Sequence, residues 1–238
     1  MITKTDSEME RQKIFICERT GREFEGLQTK FGDGWFPDHR FHPDIVEQEE
    51  KKYLEEEKSR KKMAQVDGLL RIWHEECPPI MKETEINKLP PEPYKKVMDW
   101  EYGEKGLMLH GSTGKGKTRT LWMLLKKLSE NGIGWRHYPT KRLAQVMSYD
   151  FGRKRPEYLR ACIKAKVLSL DDLGKENATP QWEADIFEII DTRANYKKPT
   201  IITTNFTGDK LMGKFKDNEM ANALVRRLRE FYISVPFK

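Results

Sequence analysis

The eight residues Gly111-Ser112-Thr113-Gly114-Lys115-Gly116-Lys117-Thr118 constrain this 238-residue chain more than any other segment. They have the form GxxxxGK[ST]. An apolar run, Gly106 to His110, precedes them and reads as a strand; a helical pattern from Lys117 to about Glu130 follows. Glycines at these spacings let the backbone curl so that successive N–H groups and the helix N-terminus face one anion. In that strand–turn–helix setting Lys117 reaches the β- and γ-phosphates of a nucleotide, and the Thr118 hydroxyl binds Mg²⁺.

The rest of the C-terminal part continues the alternation. Ile133–Tyr138, Val167–Leu170, Thr200–Thr204 and Tyr232–Val235 read as further strands. Helices are expected near Lys141–Met147, Thr179–Tyr196 and Asn218–Arg229. Short apolar runs separated by helical patterns predict an α/β fold, a parallel sheet with helices on both faces. Before it, Ile14-Phe15-Ile16 could form a strand, and residues 44–76 read as one highly charged helix with Glu and Lys three and four apart. Cys77-Pro78-Pro79 and Leu89-Pro90-Pro91 break the pattern. We therefore expect a small, mostly helical region over 1–88 and the α/β domain over 89–238.

A nucleotide site of this kind needs a carboxylate at the end of a neighbouring strand. Leu168-Ser169-Leu170-Asp171-Asp172 supplies two: Asp171 for the metal, Asp172 to orient or deprotonate the attacking water. Asn205, ending the Thr200–Thr204 strand, could hold that water against the γ-phosphate, or could be a turn residue. Arg226, Arg227 and Arg229 cluster near a helix end. Arginine suits charge stabilisation on a transferring phosphoryl group, while a basic helix C-terminus also explains Arg229.

Charge is uneven. Residues 1–90 hold 16 Lys/Arg against 20 Asp/Glu, whereas residues 91–238 hold 28 against 18. The basic excess favours a polyanionic partner. It is dense over 141–166, where Lys141, Arg142, Arg153, Lys154, Arg155, Arg160, Lys164 and Lys166 are interleaved with Tyr149, Phe151 and Tyr158. That combination suits single-stranded nucleic acid, though it also describes a solvated basic surface over core aromatics. No apolar stretch approaches the roughly 18 residues of a membrane span, and the polar first eleven residues lack a signal-peptide core. Three scattered cysteines, Cys17, Cys77 and Cys162, argue for a reducing, cytoplasmic setting. Cys17, His39, His42, His74 and Cys77 could in principle gather zinc. The plainer reading is surface histidines and a half-buried thiol.

The succession Gly111–Thr118, Leu170-Asp171-Asp172-Leu173-Gly174-Lys175, Pro199 to Asn205 and Arg226-Arg227-Leu228 resembles the DnaC/IstB branch of AAA+ ATPases over about residues 90–235. The resemblance implies ATP and Mg²⁺ as cofactors, Asp171 as the Walker B metal residue, Asp172 as the catalytic acid, and Asn205 as sensor 1. It further implies Arg227 as a finger reaching a neighbouring subunit, with Arg226 a second candidate. Arg193 matches an arginine typical of the branch, its role open. With the sequence running to Lys238, neither a C-terminal lid nor a sensor-2 arginine is expected. The function expected is loading of a replicative DNA helicase, with residues 1–88 as adaptor, a homo-oligomer engaging single-stranded DNA, and no membrane. The alternatives are a transposase-partner ATPase or a helicase-binding inhibitor with little turnover.

Overall fold

The computed structural model describes residues 10–31, 34–36, 42–149, 153–176 and 179–238. His39 and Phe151 lie outside the described residues. The chain divides into two compact units, Met1–Lys62 and Met63–Lys238.

In the first unit β1 (Glu10–Ile16), β2 (Glu23–Phe31) and β3 (Gly34–Phe36) form an antiparallel sheet in that order. Phe15 and Phe24 are directly opposed in the register, with ring centroids 5.7 Å apart, and pack with Cys17 and Ile45. The helix α1 (Pro43–Glu76) begins in this unit. Lys51–Glu47 and Lys61–Glu57 pair one turn apart along its solvated stretch. As expected, 1–88 is mostly helical, through α1; ahead of that helix in the chain stands a small sheet. Only Ile14–Ile16 of it was legible, because Glu23–Phe31 mixes Gly and charged residues with its apolar ones.

The second unit is a five-stranded sheet in the order β5-β6-β7-β4-β8. The strands are β4 (Gly106–Gly111), β5 (Trp135–Pro139), β6 (Val167–Leu173), β7 (Thr200–Thr204) and β8 (Tyr232–Phe237). Every adjacent pair is parallel, so both faces need cover. Alternation along the strands divides the core accordingly. Leu107, Leu109 and Ile201 pack beneath α3 (Pro91–Met98) and α4 (Lys117–Glu130). Leu168, Leu170 and Ile202 pack with Ile186, Ile189 and Leu224 from α7 (Pro180–Asn195) and α9 (Asn218–Phe231) on the other face. The short α2 (Pro79–Lys82), α5 (Thr140–Ser148), α6 (Arg155–Lys164) and α8 (Gly208–Met212) complete the unit.

The end of α1 belongs to this core. Trp73 is 3% exposed and donates its indole N–H to the Trp122 carbonyl at 2.9 Å. The compact division therefore falls at 62/63, upstream of the 88/89 break suggested by the prolines. Pro91 does not continue a loop; it opens α3 at the first helical turn, where a missing N–H costs nothing.

Among the described residues Arg193 is the largest fully buried side chain. Its guanidinium donates to the Thr200 hydroxyl and to the carbonyls of Cys162, Ala165 and Pro199 at 2.6–2.8 Å. It closes the carbonyl end of α6 onto the start of β7. Desolvation lowers its pKa to about 10.

Candidate nucleotide site

The carboxyl ends of β4, β6 and β7 meet beneath the turn 111–118, the crevice where open α/β sheets bind ligands. Backbone geometry explains two glycines. At Gly111 a Cβ would stand 2.0 Å from the Phe237 carbonyl oxygen. Gly116 has φ +86° as it caps α4, and a Cβ there would meet Leu89 at 2.8 Å.

Lys117 donates from Nζ to the carbonyls of Gly111 (2.7 Å) and Ser112 (2.8 Å). Its pKa is lowered, first by desolvation and also by the charge of Lys175; Asp172 and Asp171 oppose this. Thr118 Oγ1 donates to Asp171 Oδ1 at 3.1 Å. Asp171 is 8% exposed, and burial raises its pKa against the hydrogen bonds from Thr203 and Thr118. The donors at this point are all oxygens, a hydroxyl beside a carboxylate, which suits a hard cation such as Mg²⁺.

Thr203 ties the strands together. Its hydroxyl donates to Asp171 Oδ1 and accepts from the Asp172 N–H at 2.8 Å. The β6–β7 register slips between Leu170 and Leu173, and Asp172 takes φ +63° at the slip. A local irregularity of this kind re-aims a side chain. The Asp172 carboxylate meets Lys175 Nζ at 2.9 Å, and Asn205 donates from Nδ2 to Thr113 Oγ1 at 3.1 Å.

Thr118, Asp172 and Asn205 line a cleft of about 690 Å³ with Thr113, Gly114, Lys115, Gly116 and Lys117. Met81, Leu89 and Pro90 form an apolar wall of the same cleft, and Lys88, Arg119 and Lys175 bring further cations to it. Arg119 ties that wall to α4, donating to the Ile80 carbonyl at 2.7 Å.

Sequence reasoning gave no role to Thr203, Lys175 or Glu176. The Glu176 carboxylate accepts from the Gly174 N–H (3.0 Å) and the Trp182 indole (2.9 Å), which fixes the turn after Asp172. The pair of threonines before Asn205 was the only signal for Thr203.

Arg227 lies elsewhere, half-buried on α9, bonded through Nε to Asp191 Oδ1 at 2.6 Å. Arg226 and Arg229 are exposed on the same helix. In the basic stretch Lys141, Arg142, Arg153, Lys154, Arg160, Lys164 and Lys166 are exposed, as is Tyr149 at 73%. Arg155 instead binds buried Asp185, its Nε at 2.8 Å, and Tyr158 packs edge-on against Tyr138. Among the described residues no three His, Cys, Asp or Glu gather as a metal site.

A Gly-rich turn capping a helix, a half-buried hydroxyl–carboxylate pair and a parallel sheet define a P-loop nucleotide-binding protein. The chain belongs to the family of IstB-like ATP binding proteins, whose profile matches residues 50–236. It is 29% identical over 133 residues to Rv3427c of Mycobacterium tuberculosis, named as an ATP-binding protein in an insertion sequence; this covers 56% of the chain and 53% of the relative. It is 28% identical over 144 residues to the replicative helicase loader DnaI of Bacillus subtilis, covering 56% and 45% respectively. The matches span about half the length of these curated relatives. Among solved structures, a crystal structure of DnaI superposes with TM-score 0.58 at 22% identity, covering 68% of this chain and 95% of that one, a likeness of fold.

Proposed function

We propose that the cleft binds ATP with Mg²⁺ and hydrolyses it, and that the chain uses this cycle to load a replicative DNA helicase onto single-stranded DNA. One observation carries the reading: Lys117, the Thr118–Asp171 pair, Asp172 and the Asn205–Thr113 contact converge on a single cleft from three strand ends.

Backbone N–H groups of 111–118 and the Lys117 ammonium hold the phosphates. Thr118 and Asp171 would hold Mg²⁺, which when bound neutralises charge between the β- and γ-phosphates. Asp172 accepts a proton from the attacking water, and Asn205 orients that water. Arg227 acts on the nucleotide of a neighbouring copy, so the working form is a homo-oligomer. Residues 1–88 serve as the adaptor that grips the helicase, and the exposed cations of 141–166, with Tyr149, follow the DNA backbone. Among the described residues no helix is long and apolar enough to cross a membrane; the setting we propose is cytoplasmic.

Co-sedimentation of the full chain with the replicative helicase of the same organism, with and without ATP and single-stranded DNA, tests this. A ternary complex that needs intact Lys117 is expected. The mycobacterial relative's insertion-sequence origin favours a second reading, a transposase partner; binding to the transposase and not to the helicase would establish that one instead.

A further inference from the structure

Lys175 has no part in the mechanism above, yet it is held over the residue that mechanism needs most. Its N–H donates to the Asp172 carbonyl at 3.2 Å, so residues 172–175 form one tight turn. The turn cannot drift. Gly174 (φ +92°) sits where a Cβ would meet the Phe206 ring at 2.8 Å. Glu176 holds the Gly174 N–H and the Trp182 indole, and the Thr140 hydroxyl lies 2.9 Å from its carboxylate.

From this anchored turn the Lys175 ammonium reaches Asp172 Oδ2 at 2.9 Å, and both side chains line the cleft with Lys117 and Asn205. They are 38% and 37% exposed, so the pair is accessible from solvent. A pair this open is easily exchanged for a stronger anion. A phosphoryl group carries more charge than a carboxylate, and lysine is a mobile point charge suited to it.

We infer that Lys175 is a second phosphate-binding lysine of the cleft, which leaves Asp172 for the γ-phosphate when a triphosphate enters and so frees the Asp172 carboxylate to act on water. This rests on the ATP reading above. In the hydrolytic step the water oxygen forms a bond to γ-phosphorus, the bond from phosphorus to the β–γ bridging oxygen breaks, and the water proton passes to Asp172. Lys175 stabilises the transferring group's charge and takes no proton. A diphosphate lacks the group that draws Lys175 away, so with ADP the Asp172–Lys175 pair persists. The lysine therefore makes the site distinguish triphosphate from diphosphate.

Calorimetric titration of the full chain in Mg²⁺ with ADP and with β,γ-methylene ATP tests this in wild type, Lys175→Ala and Lys175→Arg. Loss of a charged hydrogen bond predicts about tenfold weaker binding of the triphosphate analogue to Lys175→Ala. ADP affinity should stay within about twofold, and Lys175→Arg should recover most of the loss, on the same scale. Equal weakening of both nucleotides, or no change in either, would overturn the inference while leaving the ATP site standing. If wild type bound neither nucleotide, the ATP reading itself would fall and this inference with it.

Discussion

Arg227 meets Asp191 through its Nε, at 2.6 Å from Oδ1, and Asn195 donates to the other carboxylate oxygen of Asp191 at 2.9 Å. The guanidinium also lies over the Phe231 ring, 5.7 Å from its centroid. Binding through Nε orients the plane of the group, and Nη1 lies 3.9 Å from Oε2 of the exposed Glu230, a loose pair that a stronger anion can displace. In the homo-oligomer proposed above, Asp191 would aim Arg227 at a neighbouring subunit's nucleotide.

Arg227→Ala should keep nucleotide binding and lose DNA-stimulated hydrolysis by about 10³-fold. Mixed with Lys117→Ala it should regain some turnover, because each variant supplies the half-site the other lacks. Asp191→Asn should behave as a weaker version, and adding it to Arg227→Ala should cost nothing further. Steady-state turnover in mixtures reads all three. A mixture without activity beside an active wild type would make Arg227 a structural residue.

The motif and the elements around it were legible because local chemistry dictates them. The helix Lys117–Glu130 and the strand Thr200–Thr204 have the bounds their apolar patterns imply. The Arg227–Asp191 pair was not legible, since its members are 36 residues apart in sequence and meet only when α7 packs beside α9. Arg193 likewise drew notice only by resemblance; its carbonyl partners come from α6 and the chain before β7, which a linear pattern cannot bring together. The helix α6 was hidden by its own cations: Arg155, Arg160 and Lys164 read as a nucleic-acid surface, while Asp185, the buried partner that holds Arg155, lies 30 residues away.

Arg193→Ala should be severe. It would leave the Cys162, Ala165 and Pro199 carbonyls without their buried donor. At about 1–3 kcal/mol for each unsatisfied group, a loss of at least ~3 kcal/mol is expected. Urea unfolding of the variant measures it, and a loss under about 1 kcal/mol would contradict the pinning role.

Trp73 separates two possible limits for the α/β unit. Trp73→Ala should cost about 3–5 kcal/mol, the range for emptying a buried aromatic site. A fragment spanning 63–238 should then unfold cooperatively, while one spanning 89–238 should be markedly less stable because it lacks Trp73 and Cys77 from the core. Equal thermal midpoints for the two fragments would show that the end of α1 is dispensable.

Acid should weaken the fold through His137. Its ring packs 4.5 Å from that of Trp122, its Nδ1 lies 3.1 Å from Ser169 Oγ, and burial lowers its pKa to about 4. The unfolded chain protonates it near pH 6.5, so the stability is intact above that value and is lost as pH falls towards 4. The group's share is about 2 kcal/mol, reduced from the full linkage value because the ring keeps some exposure. Denaturant midpoints between pH 7 and 4 should fall less steeply in His137→Gln. An unchanged slope would assign the acid sensitivity elsewhere.

The central claim is that one cleft binds ATP through Lys117 and hydrolyses it through Asp172. Equilibrium ATP titration and single-turnover hydrolysis, run side by side on wild type, Lys117→Ala and Asp172→Asn, test it most directly. Lys117→Ala should fold and lose ATP binding. Asp172→Asn should bind ATP normally and hydrolyse it about 10²-fold or more slowly, the scale expected for a positioned acid or base. Wild-type ATP affinity in Lys117→Ala, or wild-type hydrolysis in Asp172→Asn, would contradict the account.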